Sequence, residues 1–257
     1  MASQGTTKEK LRRGELALGG WMMIGHPAIA EIMAGEGFDW IGVCMEHTSV
    51  DIRAFTDIAM ALKGTGVDLL ARLPSHSEVQ AKLVLDAGAS GIIVPSVNTP
   101  EQARRAVAMA KFPPEGCRGA SLCRATDYGR NFTAYFRNHN ADVLVIVMLE
   151  HTDAVQNVDA IMATPGVDGV FIGPYDLSAS MRLPGLLDHP QVLAAEQTIL
   201  DACRRHHMPA GIHALPGDSA QIRRYVEQGF CFIACGMDTE LLLHGSRAML
   251  RGVRNHG

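Results

Sequence analysis

Gly166-Val167-Asp168-Gly169-Val170-Phe171-Ile172-Gly173-Pro174-Tyr175-Asp176 is the stretch whose reading decides the fold. It begins with a glycine suited to ending a helix in the left-handed conformation. Two turn residues follow, then a strand that is apolar on both faces, then Gly-Pro leading to polar residues. The same opening phrase recurs as Gly37-Phe38-Asp39, Gly88-Ala89-Ser90 and Gly229-Phe230-Cys231, each time ahead of a short apolar run. The chain therefore reads as four βαβα quarters.

Working outward from that stretch, eight Val- and Ile-rich runs are expected as strands. They are Leu16 to Met23, Trp40 to Glu46, Leu69 to Leu73, Gly91 to Ser96, Val143 to Glu150, Gly169 to Gly173, Ala210 to Ala214 and Phe230 to Cys235. Between them the apolar positions recur at three- and four-residue steps, which predicts helices over 27–34, 52–62, 78–86, 100–110, 155–162, 190–205, 219–228 and 239–249. Strands apolar on both faces and linked by helices form a parallel sheet covered on both sides. Eight such units in 257 residues favour a closed (β/α)8 barrel, an α/β fold, spanning 1–257 as one domain. The longest irregular stretch, 112–140, carries Pro113, Pro114, Gly116, Gly119 and Gly129 and is expected to be a long active-site loop.

Composition narrows the function. With 23 basic and 27 acidic side chains the net charge is −4, and no basic cluster offers a footprint for nucleic acid or an anionic membrane. No apolar run reaches the roughly 18 to 20 residues that cross a bilayer, and the polar N-terminus, Met1 to Arg13, has no signal-peptide core, so a cytoplasmic location is expected. The six cysteines are scattered without CxxC pairing, as expected of reduced thiols rather than a disulfide frame or zinc site.

In such a barrel, chemistry is built where strands end. Five of the expected strand ends carry ionisable groups: Glu46-His47, Arg72, Glu150-His151, Asp176 beyond Gly173-Pro174-Tyr175, and His213. Glu150 and Asp176 close adjacent strands, so their carboxylates can point at one hard cation, with water and substrate filling the other positions. From spacing alone, helix capping or an ion pair competes with that metal reading. Arg72, a cation within an apolar strand, needs an anion, either a substrate oxygen or a rim carboxylate such as Glu46. His47 can exchange protons near neutrality, and His26 and His213 carry weaker versions of the same claim. The amides of Tyr175 and Asp176, at a helix start after Gly173-Pro174, suit a substrate carboxylate.

These residues carry a resemblance. Ala34-Gly35-Glu36-Gly37-Phe38-Asp39-Trp40 leading to Glu46-His47, then Arg72, Leu85-Asp86-Ala87-Gly88, Val94-Pro95, Pro113-Pro114-Glu115-Gly116 with Arg118-Gly119, Leu149-Glu150 and the stretch 166–178 together resemble the metal-dependent class II pyruvate aldolases. That family acts on hydroxy-keto acids, as 4-hydroxy-2-oxoheptanedioate and 2-dehydro-3-deoxyglucarate aldolases do. The resemblance covers about Leu16 to Met249. It implies a phosphoenolpyruvate/pyruvate-type barrel whose last helix swaps between neighbours in a hexamer, a trimer of swapped dimers. It implies that Glu150 and Asp176 hold Mg2+, with Mn2+ or Co2+ as alternatives. It further implies that Arg72 contacts the keto oxygen of a 2-oxo acid, that His47 forms a dyad with Asp86, and that the loop from Arg118 to Arg124 lies near the aldehyde.

Two positions depart from the family pattern: Cys44 stands where Asp is usual, and Met148 where Gln is common. Thr48 and His151 are atypical too. No lysine lies at a strand end, Lys63, Lys82 and Lys111 falling on helices or loops, which disfavours a Schiff base. The leading expectation is a lyase that cleaves or forms 4-hydroxy-2-oxo acids through a pyruvate enolate. Its rivals are oxaloacetate decarboxylation, a condensation of citrate-synthase or natural-product type, and a non-catalytic keto-acid-binding barrel.

Overall fold

Eight parallel strands pair in sequence order, and the last returns to the first. They are β1 (Ala17–Met22), β2 (Trp40–Cys44), β3 (Asp68–Arg72), β4 (Gly91–Val94), β5 (Leu144–Leu149), β6 (Gly169–Ile172), β7 (Ala210–His213) and β8 (Phe232–Met237). The computed structural model describes residues 5–215 and 217–254; Met1 to Gln4, read above as part of a polar N-terminus, lie outside them. The helices are α1 (Thr7–Arg12), α2 (Pro27–Gly35), α3 (Ile52–Ala61), α4 (Glu78–Ala87), α5 (Pro100–Ala110) and α6 (Phe132–Asp142), then α7 (Thr152–Gln156), α8 (Val158–Met162), α9 (Pro174–Ser180), α10 (Pro190–His206), α11 (Ser219–Gln228) and α12 (Asp238–Arg254). None of them is long and apolar enough to cross a membrane.

Every expected strand is present, and the differences sit at the ends. Glu46, Ser96, Glu150 and Gly173, read as strand residues, lie just beyond β2, β4, β5 and β6, where the ladders stop and the chain turns into the rim. The eighth strand starts two residues late because the Phe230 amide closes the last turn of α11 on Tyr225 O at 3.0 Å. The helix expected over 155–162 is broken at Asn157 into α7 and α8. Helix α1 was not read from the sequence, although Thr6 and Glu9 form a capping box that marks its start.

Inside the barrel, large rings oppose glycines. Trp40 is fully buried and stacks on Phe232 with centroids 4.4 Å apart, and Trp21 meets Trp40 and Phe171 edge-on. A Cβ on Gly19 would lie 2.1 Å from the Trp40 ring, and one on Gly211 would lie 2.7 Å from both Phe171 and Phe232. Leu11 of α1 joins this interior cluster with Ala17, Trp40 and Leu144, plugging the end where strands begin. A second apolar shell, from Met22 and Ile41 to Ile212 and Ile233, packs the sheet against its helices.

The stretch 112–140 is not an open loop over the strand ends. It holds a 3-10 turn at Arg124–Gly129 and the start of α6, and it is tied to the opposite end of the barrel. Arg124 donates to Ala87 O at 2.7 Å and Ala59 O at 2.6 Å, at the ends of α4 and α3. Arg118 is buried, donates to Asp86 Oδ1 at 2.7 Å and Tyr135 Oη at 3.0 Å, and lies 4.8 Å over the Phe112 ring. Proline and glycine correctly mark turns there, but turns occur at both ends of a barrel. Which end is decided by these long-range polar contacts.

Helix α12 leaves the barrel after Asp238, whose carboxylate accepts from Met23 N at 2.9 Å and Ile24 N at 2.8 Å. From Leu241 to Arg251 every residue is exposed, Leu242 at 62% and Met249 at 75%.

Two outcomes follow from this packing. Gly19→Ala forces carbon into the Trp40 ring and is expected to lower stability by about 1–3 kcal/mol or more, whereas Gly35→Ala, with nothing near the added carbon, should change it by no more than about 1 kcal/mol; urea midpoints compare them. Burial, then the charge of Arg118, pushes the His139 pKa down to about 4. Because the folded pKa lies below the unfolded one, stability is complete above about pH 6.5 and is lost as pH falls toward 4, by roughly 3 kcal/mol. His139→Gln should flatten that part of a stability-against-pH curve.

Candidate active site

At the strand ends the sequence-predicted groups converge. Glu150, directly after β5, is buried. Its Oε1 accepts from Ser96 N at 2.6 Å and Ser96 Oγ at 3.0 Å. Its Oε2 is also buried and has no hydrogen-bond partner among the described residues. Ser96 holds a left-handed φ of 51°, a conformation uncommon for a residue with a Cβ, and it turns its amide onto the carboxylate.

Arg72 ends β3 opposite Cys44 of β2. Its Nη2 lies 2.6 Å from Glu46 Oε2 and 4.0 Å from Glu150 Oε2, and it donates to His47 Nε2 at 3.2 Å. The Glu46 contact is an ion pair. Arg72 is thus ion-paired with Glu46, and its side chain also lines the cavity described below. Since a guanidinium only donates, His47 Nε2 is the acceptor in that contact.

Asp176 is exposed in the first turn of α9. Burial raises the Glu150 pKa; Arg72 and the two Ser96 hydrogen bonds oppose this, while the negative charge of Asp176 adds to it. The two carboxylates therefore feel one another. Gly173 makes room for them: a Cβ there would lie 2.7 Å from Glu150 Oε2 and 2.9 Å from Glu150 Cβ. The donor set suits a hard divalent cation. A buried carboxylate oxygen without a partner sits near a second carboxylate, while among the described residues no group of three or more His, Cys, Asp or Glu side chains is placed to hold a metal ion, so water and substrate would have to supply the other ligands.

A cavity of about 470 Å³ is lined by Trp21, Arg72, Met148, Phe171, Gly173, Asp176 and His213 and runs out past Leu187 to Glu196 and Tyr225. A larger space of about 990 Å³ opens at the other end, beside Lys8, Asp68 and Arg124, and contains none of the rim carboxylates.

A search for relatives finds the HpcH/HpaI aldolase/citrate lyase family over residues 18–245. The chain belongs to that family. It is 38% identical over 231 residues to the 5-keto-4-deoxy-D-glucarate aldolase of Shigella sonnei, with 90% of each chain covered. It superposes on an HpcH/HpaI aldolase/citrate lyase family protein from Burkholderia cenocepacia with a TM-score of 0.92, at 36% identity over 96% of this chain and 98% of that one. Macrophomate synthase superposes with a TM-score of 0.83, at 27% identity over 98% and 91% of the two chains.

The HpcH/HpaI framework thus brings Glu150, Arg72, His47, Gly173, Pro174, Tyr175 and Asp176 to one rim. It does not bring Asp86, Arg118 or Arg124 there. The expected dyad of His47 with Asp86 is not formed within the chain: Asp86 ends α4 at the opposite end of the barrel and pairs with Arg118, while His47 meets Arg72 and stands 3.7 Å from Glu46. Placing Arg118 to Arg124 beside the aldehyde fails within one chain for the same reason.

Sequence reasoning overlooked Ser96, the hydrogen-bond donor to Glu150, whose only trace was its place after Val94-Pro95. Thr48 and His151 have local roles, Thr48 Oγ1 donating to Cys44 O at 2.5 Å and His151 Nδ1 capping α7 by accepting from Asp153 N at 3.1 Å. Cys44 and Met148 are buried at the base of the rim, where neither side chain brings charge.

Gly173→Ala tests the carboxylate arrangement. The added carbon displaces Glu150, so affinity for Mg2+ or Mn2+, read by calorimetry, should fall about tenfold or more while the far-ultraviolet spectrum stays that of the folded barrel.

Proposed function

We propose that this chain is a divalent-metal-dependent carbon–carbon lyase that cleaves or forms 4-hydroxy-2-oxo acids with a pyruvate-type enolate as the common component. The observation that carries this reading is the buried, unpartnered Oε2 of Glu150, 4.0 Å from the Arg72 guanidinium and within the field of Asp176. A buried carboxylate oxygen left unpaired is costly unless a cation completes it. The similarity to a 5-keto-4-deoxy-D-glucarate aldolase supports a sugar-acid-derived substrate.

Glu150 and Asp176 would hold the ion, Mg2+ by the hardness of the ligands. Bound there, a divalent cation supplies Lewis-acid stabilisation of the negative charge growing on the keto oxygen. The remaining work falls to side chains and amides of this chain. Arg72 donates to the same oxygen. Behind Pro174, which has no N–H of its own, the Tyr175 and Asp176 amides take the substrate carboxylate, with Gly173 leaving room beside them. In cleavage the 4-hydroxyl proton passes to His47, the C3–C4 electron pair moves into the C2–C3 bond as the aldehyde leaves, and a proton returned to C3 gives the oxo acid. Buried Trp21, Met148 and Phe171 keep water from beneath the reacting carbons.

A homo-oligomer fits the apolar side chains of α12, which leave Leu241, Leu242, Leu243, Met249 and Leu250 uncovered in one chain. A swapped last helix in a hexamer is the arrangement we favour. Asp86, Arg118 and Arg124 can then serve a catalytic centre only across a subunit boundary, near a partner's His47 and acceptor.

A second reading keeps the enolate but forms it by decarboxylating oxaloacetate, or condenses it onto another acceptor. It is favoured by Cys44 and Met148, which leave the base of the rim without a carboxylate or amide.

Exchange of the pyruvate methyl protons in D2O with Mg2+ tests the enolate. The wild type is expected to exchange them on the order of a hundredfold faster than Glu150→Gln. Equal rates in the two proteins remove the reading, and oxaloacetate turnover without any aldol product selects the second one.

A further inference from the structure

The two oxygens of the Glu150 carboxylate are treated differently by the protein around them. Oε1 accepts from Ser96 N at 2.6 Å and from Ser96 Oγ at 3.0 Å. A carboxylate oxygen offers two lone-pair directions, so these two donors use both of them. Oε2 is buried and has no hydrogen-bond partner among the described residues, and Arg72 Nη2, ion-paired with Glu46 at 2.6 Å, stands 4.0 Å from it. Space is left at Oε2 as well, since a Cβ on Gly173 would lie 2.7 Å from it.

Ser96 makes this contact from a backbone that serine rarely adopts, with φ at 51°. A glycine would take up that angle without strain and keep the amide donor, but it would bring no hydroxyl. What the serine adds is the second donor to Oε1. A carboxylate held in this way presents a single oxygen to a cation. Hard divalent ions differ in how they use such a ligand. Mg2+ takes single oxygens at about 2.0–2.1 Å in an octahedron and keeps several of its waters, whereas the larger Ca2+ gathers about six to eight oxygens and commonly spans both oxygens of one carboxylate.

We propose that Ser96 is a positioning residue that selects the ion: its amide and hydroxyl together occupy Oε1, hold Glu150 to coordination through Oε2 alone, and so disfavour Ca2+ relative to Mg2+ at the Glu150 and Asp176 site. This rests on the metal reading of those two carboxylates and adds a discrimination that neither provides by itself. Ser96 acts through Glu150 and not on the ion. A purely structural role for the hydroxyl, satisfying a buried carboxylate, has a different signature: its loss lowers stability and weakens both ions alike.

The test is binding rather than turnover. Dissociation constants of Mg2+ and Ca2+ are measured by calorimetry on the metal-stripped full chain without substrate, for wild type, Ser96→Ala and Ser96→Gly. Binding that persists in Glu150→Gln is subtracted. Both serine variants lose the hydroxyl, and only the glycine also relieves the left-handed backbone. The Kd of Ca2+ relative to that of Mg2+ is expected to fall about tenfold in both, as one lone pair of Oε1 returns to the site. A ratio unchanged from wild type, including an equal loss of both ions, overturns the assignment. A change confined to Ser96→Gly traces the effect to the backbone and overturns it too. Thermal unfolding identifies the folded variants, and Ser96→Gly supplies folded protein if Ser96→Ala does not. A wild type that binds neither ion through Glu150 removes the metal reading itself, whereas a wild type that binds them with a ratio indifferent to residue 96 removes only the role of Ser96.

Discussion

A closed eight-stranded barrel has an interior of fixed width, and filling it is the constraint on which the rest of this molecule depends. Here it is filled unevenly. Trp40, Phe232, Trp21 and Phe171 occupy the interior, and Gly19, Gly42 and Gly211 recede to admit them. Leu11 closes the lower end from outside the sheet. With the interior occupied, inward-facing side chains at the upper ends of the strands have no apolar neighbours left above them. Arg72, His213 and the adjoining Glu150 are held at that boundary, where a small polar molecule can replace the missing contacts.

The electrostatics at the boundary are deliberately unbalanced. Glu46 and Glu150 face one guanidinium, which also donates to His47. Burial already pushes the Glu150 carboxyl above its usual range, and Asp176 pushes it further. Such a site gains from a dication and, once that is present, from an anionic ligand. On the proposed reading, Glu150 and Asp176 would hold the ion, and Arg72 would add positive charge for an anionic ligand. Gly173 permits this arrangement by taking up almost no space beside Glu150, and Ser96 pins the carboxylate from the other side at the expense of an uncommon backbone angle.

The two ends of the barrel do different work. At the upper end, polar groups remain unmatched. At the lower end, Arg118 pairs with Asp86 and Tyr135, and Arg124 with the carbonyls of Ala87 and Ala59. Helix α12 belongs to neither, since it touches the barrel at its start and then carries its leucines into the open.

The sequence by itself determined the alternation of strands and helices, because residues such as Val170 to Ile172 and Ile92 to Val94 are apolar on both faces and are preceded by turn glycines, Gly166 and Gly88, with positive φ. It also determined which residue types sit at the rim, since Glu150, Arg72 and His47 follow directly from where those strands stop. Only the tertiary structure decided which end of the barrel the stretch 112–140 serves, because Pro and Gly specify a turn but not its neighbours. It also separated Asp86 from His47 and brought Ser96, 54 residues away, onto Glu150. Local propensity acts over a few residues, whereas burial and hydrogen bonding between distant segments are settled only when the barrel closes.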